Sequence, residues 1–187
     1  MINSNNIHGV ELQDYSDKNS LNWFISNFLT AERGYVSAQT NPFKFGHTDL
    51  WAMRKNGNKV GFEVKRRIFL STHFGDNICT KDKITDSQRF DEYFLVTLYA
   101  DGKLFCNDLK NEEPFAIDVK LTPKSQETPE KRTIPQWRTI YHFLQGKPLE
   151  FAVSELFTPF EVSAAAGKYA EKVWRESRTA APVFTQI

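Results

Sequence analysis

The stretch Gly46 to Arg67, GHTDLWAMRKNGNKVGFEVKRR, has one economical way to pack: two β-segments joined by a tight turn. Asn56-Gly57-Asn58 supplies the turn, since Asn and Gly tolerate the backbone angles a short hairpin loop needs. After it, Val60, Phe62 and Val64 alternate with Gly61, Glu63 and Lys65, so one face of the strand is apolar and the other polar. With a loop of Asn56 to Asn58, Lys55 pairs with Lys59, Asp49 falls opposite Lys65, and Trp51 falls opposite Glu63. Asp49, Glu63 and Lys65 then share one end of one face. Leu50, Ala52, Val60, Phe62 and Val64 share the other. A bulge at the turn changes this register.

Two acids and a lysine on neighbouring strands suit phosphodiester hydrolysis. The reaction adds an oxygen nucleophile to a group that is already negative. Paired carboxylates can hold Mg²⁺, which neutralises phosphate and acidifies a bound water. A lysine beside them can orient that water and balance transition-state charge. The backbone carbonyl of Val64, between Glu63 and Lys65, is placed as a further oxygen ligand. Between Arg54 and Arg67, the bases Arg54, Lys55, Lys59, Lys65, Arg66 and Arg67 outnumber the single acid Glu63, so phosphates can be neutralised locally although the chain's net charge is only +1.

Elsewhere, Leu21, Phe24, Ile25, Phe28 and Leu29 have helical spacing, capped by Asn19 or Ser20 and stopped by Gly34. Tyr35 to Gln39 and His47 to Arg54 read as strands, and Lys59 to Arg67 as a third. Phe69 to Ile78 reads as a loop and Lys81 to Asp91 as a short polar helix. Tyr93 to Tyr99 (YFLVTLY) is the most continuously apolar run and is expected at the centre of a sheet, with Lys103 to Asp108 as its partner. Residues 122 to 133 read as an exposed loop. Two C-terminal helices are expected, one from about Pro135 to Gln145 on a stripe of Trp137, Ile140, Tyr141 and Leu144, and one from about Phe160 to Ser177. The order predicts one mixed α/β domain over 1–187, with a core at about 20–109 and a helical elaboration at about 134–178.

Thr48-Asp49 on one strand and Glu63-Val64-Lys65 on the next, linked by a tight hairpin, resemble the PD-(D/E)XK nucleases, the restriction-endonuclease-like superfamily. The resemblance covers roughly residues 20 to 100 and implies an αβββαβ core with a central mixed sheet flanked by helices. It implies that Asp49 and Glu63 bind the metal while Lys65 serves the nucleophile. Thr48 stands where Pro is usual. The resemblance also puts Glu32 at the place of a further acid on the preceding helix. It puts Gln88, with Lys81 and Lys83, on the helix after the second strand, facing the site.

The reading is therefore a Mg²⁺-dependent DNA endonuclease of restriction, homing, phage or repair type, with Mn²⁺ able to substitute. Arg66, Arg67 and Lys81 are expected to help hold the DNA backbone, and a homodimer is expected if both strands of a duplex are cut. The alternative is a non-catalytic DNA-binding or assembly module with the same fold, and an RNA-directed nuclease stays open. A bare salt-bridge ladder across the hairpin accounts for the charges but not for the helix before it or the helix-strand after it. A rival pattern, Asp108 with Asp118-Val119-Lys120, lacks those flanking elements.

His47 stands two residues from Asp49 but reads as structural. Cys79 and Cys106 are far apart and outside any zinc spacing. No GxxxxGK[ST] loop is present, so no nucleotide cofactor is expected. With no signal-like or membrane-spanning segment, the expected setting is the cytoplasm.

Overall fold

A computed structural model describes residues 18–41, 48–125, 133–149 and 153–179. The hairpin is present as β2 (Leu50–Arg54) and β3 (Lys59–Arg67). Its loop is Lys55 to Gly57 rather than Asn56 to Asn58: the Arg54 N–H donates to Asn58 O at 2.9 Å, and Gly57 takes φ 89°. Asn56 explains the choice, because its side-chain oxygen accepts the Asn58 N–H at 3.0 Å and closes the turn one residue early. Leu50 therefore pairs with Phe62 and Trp51 with Gly61. The register differs from expectation by two residues, so each side chain keeps its face but changes its partner. Asp49 now stands opposite Glu63, not Lys65.

β2 and β3 belong to a five-stranded sheet in the order β1-β2-β3-β5-β6, with β1 at Tyr35–Thr40, β5 at Glu92–Tyr99 and β6 at Leu104–Asp108. β3 and β5 run parallel and the other neighbours antiparallel, so the sheet is mixed. The expected helix-strand-strand-strand-helix-strand order is present. Helical residues 18–27 form α1, followed by a 3-10 turn at Ala31–Arg33 that Gly34 ends with φ 88°. Phe24 and Phe28 from this segment stack with centroids 4.6 Å apart, and Phe24 meets Phe62 edge-on at 5.3 Å. Together with Leu50, Ala52, Val60, Val96 and Leu98 they build the larger core on the apolar face of the hairpin.

The parallel β3-to-β5 step requires a crossover. It holds a 3-10 turn (Ser71–His73), β4 (Asp76–Thr80) and α2 (Lys81–Ser87). The expected loop over Phe69 to Ile78 thus ends in a strand. β4 joins a second sheet, in the order β4-β8-β7, with β7 at Ala116–Ser125 and β8 at Thr133–Leu144.

β8 corrects the helix expected from Pro135 to Gln145, and the C-terminal elaboration is part strand, part helix. The four-residue stripe misled because it mixes faces. Ile140 is buried, whereas Trp137 and Leu144 are exposed. Thr139, Ile140, Tyr141 and Phe143 are β-prone, and Ile140, Tyr141 and His142 have partners on both sides, in β4 and β7. Residues 122–125 likewise continue β7 rather than opening a loop. Beneath the second sheet a smaller core gathers Cys79, Phe90, Tyr93, Leu95, Leu109 and Phe143 on the polar side of the hairpin.

The last helix is as expected, α3 at Pro159–Thr179. Thr158 and Glu161 cap it reciprocally: the Glu161 N–H donates to Thr158 Oγ1 at 3.2 Å, and the Thr158 N–H donates to Glu161 Oε2 at 2.9 Å. Among the described residues no helix is long and apolar enough to cross a membrane.

Candidate active site

Gly61 makes room for the floor of the site. A Cβ there would lie 2.5 Å from the ring of Tyr93, its parallel-strand neighbour, and 2.9 Å from Phe90. The absent side chain lets the Tyr93 ring lie flat across β3, with its hydroxyl 3.2 Å from Thr48 Oγ1. Asn41 holds the same segment from the other side, donating from its side chain to Thr48 O at 3.0 Å and from its N–H to Asp49 O at 2.9 Å. Asp49 is thereby fixed immediately before the first residue of β2.

From that position Asp49 brackets Glu63. Its N–H donates to Phe62 O at 3.2 Å, and its Oδ2 accepts the Val64 N–H at 2.8 Å. The backbone groups of Asn58, Phe62 and Val64 point toward β2 by the alternation of an antiparallel pair. The Val64 carbonyl therefore faces the side on which Asp49 sits, just before the first residue of β2.

Glu63 is buried, 6% exposed, and its two oxygens meet two ammonium groups. Lys65 Nζ lies 3.2 Å from Oε1 and Lys83 Nζ lies 2.6 Å from Oε2. Lys83 comes from α2, which is tied to β8 where Arg138 donates to Thr80 Oγ1 at 3.1 Å and Asp82 at 3.2 Å. Burial, then the Glu63 charge, push the Asp49 carboxyl up to about 7, against the opposing pull of Lys83, the Val64 N–H and Lys65. Burial pulls Lys83 down, but the Glu63 and Asp49 charges outweigh it and hold the ammonium above its ordinary value. Burial pushes the nearby Cys79 thiol up to about 12, so it is a neutral wall and not a nucleophile.

Asp49, Glu63, the Val64 carbonyl, Lys65 and Lys83 are thus brought together. Glu32 is not. It is exposed on the 3-10 turn beside Tyr35, which pairs with Arg54 at the far end of β2. Five residues of strand, roughly 16 Å, separate that end from Asp49.

Arg66 is also displaced from its expected role. By strand alternation it points away from Glu63 and Lys65, and it donates to Leu156 O at 2.8 Å, pairs with Glu161 at 2.6 Å and lies 4.2 Å over the Phe157 ring. It anchors α3 and faces no solvent that a phosphate could occupy. Arg67 shares the face of Glu63 and Lys65 and is half-buried, while Lys81 and Gln88 are exposed at the two ends of α2. His47 lies outside the described residues.

The rival pattern is dispersed between the two sheets. Asp108, on β6, binds the N–H groups of Lys110 and Asn111, while Asp118 and Lys120 pair on β7. The sequence reading puts Lys83 on a helix facing the site but misses its direct approach to Glu63. The one available signal was its position two residues inside a helix that follows the ExK strand. The sequence reading gives Tyr93 a core role alone; a glycine within an alternating strand, Gly61, is the hint of a ring lying against it.

The donor set fits a hard divalent cation better than zinc. Among the described residues no three His, Cys, Asp or Glu side chains gather for a metal. Two carboxylates and a main-chain carbonyl, all oxygen, are what Mg²⁺ accepts when water and phosphate complete its shell. Burial first, and then the Glu63 charge, raise the Asp49 carboxyl, so a cation beside the two acids would favour its ionised form.

No family model and no curated protein matches the chain. Among solved structures it is similar to Hjc, a Holliday junction resolvase of Archaeoglobus fulgidus, at 15% identity and a TM-score of 0.39, over 72% of this chain and 96% of that one. So loose an overlap decides neither site nor function.

Proposed function

We propose that the chain is a Mg²⁺-dependent nuclease that hydrolyses phosphodiester bonds in DNA. What supports the reading is the bracketing of buried Glu63 by Asp49, with Lys65 on the same strand face. Asp49, Glu63 and the Val64 carbonyl would hold the cation, which would supply charge neutralisation and an acidified water. Lys65 would hold the attacking water by a hydrogen bond and take up charge as the phosphorus becomes five-coordinate. Lys83 would balance Glu63 and share in drawing the phosphate in. Arg67 and Lys81 would contact flanking phosphates, with Gln88 at the rim. Mn²⁺ would substitute for Mg²⁺, and a second copy would be needed to cut both strands together.

A second reading has an observation of its own. Two ammoniums already neutralise Glu63, as they would in a binding or assembly module with no need of a cation. Cleavage assays decide between the two. Labelled duplex, junction, single-stranded DNA and RNA are incubated with Mg²⁺ or Mn²⁺ and the products resolved. The nuclease reading expects metal-dependent cleavage of DNA, lowered at least about 100-fold by Asp49→Ala or Lys65→Ala, with DNA binding retained. Cleavage by those variants at the wild-type rate contradicts the site assignment. DNA binding without cleavage of any substrate supports the module, and cleavage of RNA alone replaces the substrate class.

A further inference from the structure

β7 is the outer strand of the small sheet among the described residues, and its exposed row of side chains on the face shared with Tyr141 and Phe143 is apolar. Ile117, Val119 and Leu121 are 56%, 64% and 54% exposed, and Trp137, which pairs with Leu121, is 72% exposed. A strand edge of this kind is a template for another strand. The side-chain order says which one.

The backbone phase follows from two prolines. Pro123 pairs with Pro135, and neither has an N–H, so that pair cannot exchange hydrogen bonds. By alternation the bonded pairs to β8 are at 122, 120, 118 and 116, and the N–H and C=O groups of Ile117, Val119 and Leu121 point to the open edge. The Phe115 N–H donating to His142 O, opposite Ala116, agrees with this phase.

We propose that β7 pairs antiparallel with β7 of a second copy of this chain, with Val119 on the two-fold axis. In that register Ile117 faces Leu121 of the second copy, and Val119 faces its own counterpart. The three positions with free backbone groups thus meet one another, two hydrogen bonds per pair. On the opposite face Asp118 stands across from Lys120 of the second copy, twice over by symmetry. Sliding by one residue either way along each chain places Asp118 against Asp118, or Lys120 against Lys120. Sliding further toward the C-terminus sets Pro123, which has no donor, against Val119. Charge and hydrogen bonding therefore select the same register. The intrachain Asp118–Lys120 pair at 2.6 Å is exposed and offers little resistance to the exchange.

This inference does not rest on the nuclease reading, and its test does not use activity. Sedimentation velocity at about 100 µM chain should give twice the 21.6 kDa of one chain. Val119→Pro removes an N–H that points to the open edge among the described residues, and it should leave a folded monomer by circular dichroism. Lys120→Asp places carboxylates opposite carboxylates, and Asp118→Lys places ammoniums opposite ammoniums. Each should weaken the dimer at least roughly tenfold, and an equimolar mixture of the two variants should recover it. A wild-type monomer at that concentration overturns the proposal. So does a dimer that survives Val119→Pro, charge variants that self-associate like the wild type, or folded charge variants whose mixture stays monomeric.

Discussion

The Lys83 ammonium stands 2.6 Å from Glu63 Oε2, joining a seven-residue helix to the middle of the main sheet. Both side chains are largely buried, at 12% and 7% exposure, so removing one leaves the other charge with half its compensation. Lys83→Met should destabilise the fold by about 3 kcal/mol in urea unfolding at neutral pH, and adding Glu63→Leu should recover most of that loss. Mg²⁺ should stabilise the Lys83→Met variant more than the wild type, because a cation at Glu63 restores the missing charge. Equal stabilisation of both would show that the ion binds elsewhere.

Asp49 predicts a pH dependence of opposite sign to that of an ordinary salt-bridged acid. Its carboxyl releases a proton near 3.8 in an unfolded chain and at about 7 in the fold, pushed up first by burial and then by Glu63. Between those values the folded state binds the extra proton. The contribution to stability is therefore whole below about pH 4 and is lost as pH rises toward 7. In chelator-treated protein, Asp49→Asn should be the more stable form at pH 8, by up to a few kcal/mol, with the gap closing by about pH 4. Denaturant unfolding across that range reads the slope directly.

Gly61→Ala should damage the site through Tyr93. The added methyl meets ring carbons at 2.5 and 2.7 Å, so the ring must swing and its hydroxyl must leave Thr48. A loss of about 1–3 kcal/mol is expected in thermal unfolding. Tyr93→Leu should relieve much of it in the double variant, which a simple backbone effect at Gly61 would not allow.

Arg66→Met should loosen α3 without touching DNA contacts. The guanidinium bonds Leu156 O and Glu161 and covers Phe157, so its removal should cost about 2–4 kcal/mol and speed proteolysis ahead of α3. The salt dependence of DNA binding should not change, whereas Arg67→Ala should make it shallower.

The hairpin and its two faces were legible because period-two alternation survives any even shift in register, and the actual shift was two residues. Partners were not legible. Whether Asn56 closes the loop early depends on one side-chain hydrogen bond, and that moved Asp49 from Lys65 to Glu63. β5 was readable from a strong apolar run and α3 from the helical spacing of Val162, Ala166, Tyr169 and Val173. β8 was not, since its Trp137, Ile140, Tyr141 and Leu144 mimic a helical stripe and only pairing with distant β4 and β7 decides the matter. Arg66 and Lys65 look alike as neighbours in a basic run. Strand alternation sends one into the α3 contact and the other to Glu63, and what waits on each face is tertiary information.

Binding of Mn²⁺ in the presence of a short duplex, followed by electron paramagnetic resonance, tests most directly whether Asp49 and Glu63 share a cation. Wild-type protein should take up the ion above about pH 7, and both Asp49→Asn and Glu63→Gln should abolish that uptake while Gln88→Ala leaves it intact. Uptake that is unchanged in Glu63→Gln, or absent from folded, DNA-bound wild type, would contradict the account.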